Sequence, residues 1–398
     1  MPSTNLNSPT NPFRFGALAL DEAFADREEE VRELKADALN GQDVVIFAPR
    51  RYGKSSLVWA VMQELIAADV VVAYVNLMTT PTKEKLAEKL AATILEHVAS
   101  PLAQAREKAL APFRGLRINP TITVDPEDAT MSFSFAAGRE PADIDATLER
   151  LLQLPAELGA DQNRKVALIF DEFQEVVEVD PALPKLLRTT FEQQPEVARI
   201  YLGSKRHMME RIFNDENEPF WRSAKQVELG LIPIEPFHKF ITARFRKTNK
   251  AVGEEVLGEL LARTAAQPYS TQELAYALWE ATPFDDEAGE VELEAALASV
   301  LRSEHAHFGL VWEQASTVQR LVLEALAEEP GRPLSGEYRR RHQLPAVASV
   351  QTALKTLTRR ELVVRDAEGV NRIAEPFLAE WIVLNVGRTE PRRWPAPT

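Results

Sequence analysis

The chain predicts an α/β core of parallel strands, followed by a small helical segment and a C-terminal winged helix-turn-helix. Three observations carry that expectation. The apolar run Val44–Phe47 leads through Ala48-Pro49-Arg50-Arg51-Tyr52-Gly53 into a helical pattern that opens at Lys54-Ser55-Ser56. A second apolar run, Lys165–Phe170, ends in Asp171-Glu172. Beyond residue 317 three short helical patterns precede two β-like runs. Strands alternating with helical stretches are the pattern of a parallel sheet with crossover helices.

Composition bounds the reading. A chain of 398 residues has room for two or three domains. Its 45% hydrophobic and 27% charged content is that of an ordinary globular protein. No apolar run approaches the ~20 residues that span a bilayer. The opening Met-Pro-Ser-Thr-Asn lacks the basic and apolar regions of a secretion signal, so a cytoplasmic protein without membrane contact is expected. The absence of cysteine excludes disulfides, thiolate catalysis and Cys-type zinc sites. Six histidines, none in a ligand-spaced pair, argue against a His-based metal site. The net charge of −14 is unevenly spread. Residues 331–398 hold 12 Lys and Arg against 7 Asp and Glu, a net of +5, which leaves −19 on the rest. The overall charge argues against a protein coated by nucleic acid, while the acidic body with a basic tail singles out the C-terminal unit.

In chain order, residues 1–40 read as an Asn/Pro/Ser-rich strap and a helix over 24–40, with Val31, Leu34, Ala38 and Leu39 on one side. The core spans 41–230. Its strands are expected at 43–47, 69–76, 165–170 and 198–203, with an edge at 226–229, and its helices at 54–67 and 81–98. Lys54 and Asp171 are 117 residues apart, more than two βα units need. The excess lies at 100–145, where 117–125 and 130–135 alternate with period two and predict an inserted β-hairpin. A binding flap and a packed ornament are both open readings of it. Residues 231–305 carry helical patterns at 235–248, 253–265, 270–281 and 290–303, which suit a helical lid. Residues 306–398 form the C-terminal unit.

The first chemical site is the loop 48–56. A buried strand, a tight loop and Gly53-Lys54-Ser55 opening a helix make a phosphate cradle, because free backbone N–H groups and the helix dipole both favour an anion there. Lys54 would reach the β/γ-phosphates and Ser55 would ligate Mg²⁺. Ala48 stands where the usual G-x-x-x-x-G-K-[ST] motif has its first glycine. Asp171 and Glu172 would lie in the crevice at the carboxyl end of a parallel strand. Asp171 suits a Mg²⁺ contact and Glu172 the polarising of an attacking water. ATP with Mg²⁺ is the expected ligand.

In the C-terminal unit, Val318–Leu326 reads as an amphipathic helix and Ser335–His342 as a short one with Ser335 as N-cap. The third helix, 347–360, would bury Val347, Val350, Leu354 and Leu357 and turn Ser349, Gln351, Thr352, Lys355 and Arg359 outward. Residues 362–373 then read as a hairpin with a turn at Asp366-Ala367-Glu368-Gly369. In a winged helix the third helix reads the DNA groove. Gln351, Lys355 and Arg359 on it, Arg339, Arg340 and Arg341 before it, and Arg365 and Arg372 on the wing are the candidate DNA contacts. Docking of a protein effector, or autoinhibitory packing against the core, is the alternative use of such a module.

With these motifs in place the chain resembles the AAA+/STAND group of P-loop ATPases, and more closely the archaeal-type ATPase family, which is also found in bacteria. The matching words are Asn11-Pro12-Phe13, Phe24-Ala25-Asp26-Arg27-Glu28, the loop through Ser56, and Ile169-Phe170-Asp171-Glu172-Phe173-Gln174. They continue with Leu202-Gly203-Ser204-Lys205-Arg206-His207, Pro219-Phe220-Trp221-Arg222-Ser223-Ala224 and Gln267-Pro268-Tyr269. The segment from Glu375 to Trp381 is similar to that family's ending.

The resemblance implies an AAA+-type ATP-binding core, a helical lid and a winged helix. It implies that Ala48, Pro49, Arg50, Arg51, Tyr52, Gly53, Lys54, Ser55 and Ser56 surround the phosphates, with Arg50 and Arg51 either adding positive potential there or merely facing solvent. Arg27 and Glu28 would pack near the adenine, Ser204 would be the sensor at a strand end, and Pro268 would close over the base. The family's Gly-His before that proline is Ala266-Gln267 here, so any role of the histidine is absent. No residue matches the lid arginine of AAA+ motors, which favours a switch over a processive machine. Arg222 would be an arginine finger offered to a neighbouring subunit's γ-phosphate, with Lys205 and Arg206 as competing candidates and a structural salt bridge as the alternative.

Two functions compete. One is a slowly hydrolysing ATPase switch that touches DNA and forms nucleotide-dependent homo-oligomers. The other is a nucleotide-gated scaffold for a protein effector. The Asp171-Glu172 pair favours the first, since a pure binder needs no water-polarising carboxylate. A small-molecule kinase is disfavoured by the long helical and winged-helix extension.

Overall fold

The computed structural model describes residues 10–16, 24–25, 27–94, 96, 118–124, 131–137, 141–366 and 368–386. Two compact units divide the chain: one holds Arg27–Pro49 and Lys54–Gly230, and the other holds Arg50–Gly53, the N-terminal segment and Leu231 onward.

The first unit follows the expected α/β order. Helix α1 (Glu28–Leu39) is followed by β1 (Val44–Phe47), α2 (Lys54–Ala67), β2 (Val71–Asn76) and α3 (Lys83–Thr93). The pair β3 (Ile118–Val124) and β4 (Met131–Ala137) is antiparallel, as the period-two pattern predicts. Then come α4 (Pro141–Gln162), β5 (Val166–Asp171), α5 (Glu175–Val179), α6 (Leu183–Phe191), β6 (Val197–Gly203), α7 (Arg206–Asn214) and β7 (Lys225–Glu228). The five-stranded sheet has the order β2-β5-β6-β1-β7, every pairing parallel, with β7 at the edge as expected. Every residue of β1, β5 and β6 is buried, which is why these strands read as continuous apolar runs rather than alternating ones.

The 101–117 stretch of the expected insertion lies outside the described residues. The sequence reading places no element at α4, a 22-residue helix that carries Pro155 inside it. Burial of Leu148, Leu151, Leu152 and Leu154 outweighs the hydrogen bond that the proline forgoes. Behind the strand ends, Phe170, Phe173, Tyr201, Phe213 and Phe220 form an aromatic cluster, with Phe173 and Tyr201 centroids 4.6 Å apart.

The second unit begins with α8 (Ile234–Lys247), β8 (Ala251–Val252), α9 (Glu254–Arg263), α10 (Pro268–Ala281), β9 (Glu287–Ala288) and α11 (Glu290–Glu313). Helix α11 continues to Glu313 rather than stopping at 303, so the boundary expected between 305 and 306 falls inside a helix. Part of the N-terminal strap is tied here: Asn11 donates to the Tyr276 carbonyl and to Glu280, and Phe13 packs on Phe245.

A winged helix follows, built of α12 (Thr317–Glu328), α13 (Gly336–Arg341), α14 (Val347–Arg359), β10 (Val363–Arg365), β11 (Asn371–Ile373) and α15 (Pro376–Asn385). Ser335 caps α13 as expected, accepting from the Tyr338 N–H. Gly331 is required beside it, since a Cβ there would lie 2.2 Å from the Tyr338 ring. The expected burial of Val347 is corrected. It is 42% exposed at the first turn of α14, while Val350, Leu354 and Leu357 are buried. Val347 is the first residue of α14, at the very end of the apolar stripe.

Candidate nucleotide site

Parallel pairing brings the C-terminal ends of β5, β6 and β1 side by side, with Phe47 opposite Gly203 and Phe170 opposite Tyr201. Asp171, Glu172 and Ser204 therefore emerge together at the crest of the sheet, which is where open α/β sheets place ligands. The Oδ1 of Asp171 accepts from the Glu172 N–H at 2.9 Å and its Oδ2 accepts from the Tyr74 hydroxyl at 2.5 Å. Burial pushes the Asp171 carboxyl above its ordinary range. Glu172 takes a left-handed backbone, φ 54°, which turns its side chain toward β6. There its Oε2 accepts from Ser204 Oγ at 2.7 Å, Ser204 N at 3.3 Å and Gln174 Nε2 at 2.5 Å. Burial works to raise the Glu172 carboxyl, but the Gln174 and Ser204 donors outweigh it and hold it below the usual range.

Lys54 opens α2 and is 9% exposed; its Nζ donates to the carbonyls of Ala48 at 3.0 Å and Pro49 at 3.2 Å. Its charge helps keep both carboxylates ionised. Ala48 is buried, Ser55 is exposed on the first turn of the helix, and Ser56 is half-buried behind it. Arg27, buried and with φ 143°, pairs with Glu30 at 2.9 Å and donates to the Gly230 carbonyl at 2.8 Å. Glu28 is exposed at the start of α1.

Arg222 is exposed, with its guanidinium 5.5 Å from the Trp221 ring centroid, and it makes no ion pair among the described residues. Its two competitors are engaged: Lys205 with Glu175 at 2.8 Å, and Arg206 with Glu210 and Glu228.

The loop residues Arg50–Gly53 belong to the second unit. Gly53 has φ 81° and nothing within 4 Å of a would-be Cβ, so backbone conformation rather than space calls for glycine. Tyr52 is buried. Arg50 pairs with Glu361 at 2.6 Å, and Arg51 pairs with Glu375 and lies 4.3 Å above the Tyr269 ring. Neither arginine faces open solvent unpaired, a geometry that no local pattern announces. Pro268 is the first residue of α10, and Gln267, which stands for the family's histidine, donates to the Ala374 carbonyl at 3.1 Å. One turn on, Glu273 is 2% exposed with an unpartnered Oε2. Burial, reinforced by Glu304 and opposed by Arg51, pushes its carboxyl up to about 7.

The residues present fit Mg²⁺. Among the described residues no group of three or more His, Cys, Asp or Glu is placed to hold a metal by itself. A magnesium ion needs less, one or two hard oxygens with phosphates and water completing its shell, and Ser55 and Asp171 are oxygens of that kind.

On the winged helix, Gln351, Lys355 and Arg359 are exposed at four-residue spacing along α14. Arg340 and Arg365 are exposed, while Arg339 and Arg372 are half-buried. Arg341 is held by Glu329 at 2.8 Å and Glu337 at 3.1 Å. Tyr74 and Gln174 beside the two carboxylates, and Glu273 and Glu375 beside Arg51, are neighbours that sequence reasoning missed. Gln174 sits inside a quoted motif, but only the fold shows which carboxylate it meets.

Residues 24–267 match the family described as an ATPase domain predominantly from Archaea, and residues 306–383 match a winged helix domain. No curated protein sequence gives a significant match. Among solved structures, the chain is similar to the Walker-type ATPase of Pyrococcus abyssi, with 19% identity and a TM-score of 0.61 over 92% of this chain and 97% of that one. It is also similar to the ORC2 protein of Aeropyrum pernix in its ADPNP and ADP complexes, with 17% identity and a TM-score of 0.53 over 93% of this chain and 97% of that one. At these identities the likeness is one of fold. No helix among the described residues is long and apolar enough to cross a membrane.

Proposed function

The chain belongs to the archaeal-type ATPase family, and on that premise we propose that it is a Mg²⁺-dependent ATP switch that hydrolyses slowly and engages duplex DNA through its winged helix. The observation that carries the reading is the convergence of Asp171, Glu172 and Ser204 at the strand ends, with Lys54 close enough to favour both charges. Lys54 would leave the two loop carbonyls for the β/γ-phosphates. Arg27 and Glu28 would pack near the adenine. Mg²⁺, when bound, would neutralise phosphate charge, with Ser55 and Asp171 holding it. Glu172 orients and polarises the attacking water. Its charge is already stabilised by three donors on Oε2, which makes it a weak base and supports a slow rate. ADP release would then reset the switch.

The exposed Gln351–Lys355–Arg359 row supports groove contact, with Arg340 and Arg365 reaching phosphates. Turnover of the full chain should require Mg²⁺, and labelled duplex should bind weakly with affinity falling steeply as salt rises from about 50 mM. Undetectable binding at that salt, with turnover unchanged by duplex, hands the winged helix to the effector-scaffold reading. That reading is favoured by Arg341, which is engaged within its own domain.

Arg222 supports assembly. It is exposed and carries no ion pair among the described residues, and γ-phosphate charge in the transition state calls for a further cation. A head-to-tail contact of this kind closes into rings or runs on as filaments. The full chain should gain mass with a non-hydrolysable ATP analogue, and Arg222→Ala should keep ATP binding while losing most turnover. A single mass in every nucleotide state, measured by light scattering, removes the assembly claim.

A further inference from the structure

We propose that Gln174 is a positioning residue that holds Glu172 in the geometry from which it polarises water; this rests on the reading of Glu172 as the hydrolytic carboxylate. Gln174 follows Glu172 by two residues, and its side chain is fully buried. Its amide nitrogen has two hydrogens, and both are committed: one goes to Glu172 Oε2 at 2.5 Å, the other to Glu175 Oε1 at 3.2 Å. Two carboxylates on the same atom decide the amide's orientation, since a flipped carbonyl would face both negative charges.

The Oε1 of Gln174 is thereby turned away, buried and without a partner. It lies over Gly203, where a Cβ would come within 2.6 Å of it. A buried acceptor left unpaired is costly, and the geometry accepts that cost at the place where the amide reaches Glu172. The peptide that carries this amide is anchored. Phe173, between the two residues, is buried in the aromatic cluster, and its N–H donates to the Leu202 carbonyl at 2.7 Å.

The consequence for Glu172 is an asymmetric carboxylate. Oε2 accepts from Gln174 and twice from Ser204, and none of these bonds goes to Oε1, so Oε1 is the oxygen left for water. Ser204 alone would fix one side of the carboxylate and leave it free to pivot about that contact. Gln174 approaches from β5's own end and closes the pivot. Lys205, through Glu175 at 2.8 Å, braces the far side of the amide.

Gln174→Met keeps the side chain's length and removes both donors. In the full chain with Mg·ATP, it should lower kcat by on the order of tenfold to a hundredfold, with the ATP dissociation constant within about twofold of wild type. Gln174→Asn retains the amide one methylene short and should fall the same way. The decisive measurement is a double-mutant cycle: in a Glu172→Gln background, Gln174→Met should cost no further turnover. Additive losses, an unchanged kcat, or a loss of ATP affinity that matches the loss of kcat would overturn the proposal. Failure of the underlying reading looks different: Glu172→Gln itself would then hydrolyse ATP at the wild-type rate.

Discussion

Glu172→Gln should reduce ATP turnover by roughly 10²–10⁴-fold, the contribution of a positioned proton acceptor, while ATP still binds. The substitution is close to isosteric, and the amide oxygen can keep accepting from Ser204, so the clasp survives. What disappears is the negative charge that orients and polarises water. Lys54→Ala provides the contrast. The Nζ of Lys54 donates to the Ala48 and Pro49 carbonyls at the mouth of the phosphate loop, where it would meet the phosphates. Loss of a charge-assisted bond of about 1.5–3 kcal/mol predicts about a ten- to hundredfold weaker Kd for ATP. Calorimetric titration with a non-hydrolysable analogue, beside steady-state turnover, separates the two. Wild-type values for both variants would remove the site.

Glu273→Gln should stabilise the protein at pH 8 and leave it nearly unchanged near pH 4.5. The buried Glu273 carboxyl is pushed from 4.5 to about 7, chiefly by burial, with Glu304 adding to the shift and Arg51 opposing it. A raised carboxyl favours the folded state while it is protonated. Below pH 4.5 both folded and unfolded chains carry the proton. Between 4.5 and about 7 the unfolded chain releases it and the folded chain retains it, so stability falls through that window. Above it, the full penalty is about 3 kcal/mol, and a neutral amide escapes it. Urea unfolding of wild type and variant at the two pH values reads the difference directly. Equal midpoints at pH 8 would show that Glu273 is not strained.

The glycine-lysine-serine turn, the acid-tipped strand and the winged-helix pattern were legible because each is written in a few consecutive residues. A strand buried on both faces must be apolar throughout, so Val44–Phe47 and Lys165–Phe170 announced themselves. A capped helix with one apolar stripe must repeat every three to four residues, so Leu354 and Leu357 were correctly placed inside and Gln351, Lys355 and Arg359 outside. Local patterns failed where long-range packing outweighed local preference. Pro155 sits inside a 22-residue helix because buried leucines hold it there, and Val347, the first residue of its helix, is exposed although it continues the apolar stripe.

Electrostatic partners were beyond the sequence altogether. Nothing in Pro-Arg-Arg-Tyr says that Arg50 meets Glu361 or that Arg51 meets Glu375 across 324 residues. Nothing in Asp-Glu-Phe-Gln says that the glutamine returns to the glutamate two residues before it. An ion pair or a buried amide depends on where two side chains end in space and how much water is left between them. Order along the chain determined the strands, the helices and the reactive residue types; only the closed fold decided which charges are paired, which are strained, and which oxygen of Glu172 is left for water.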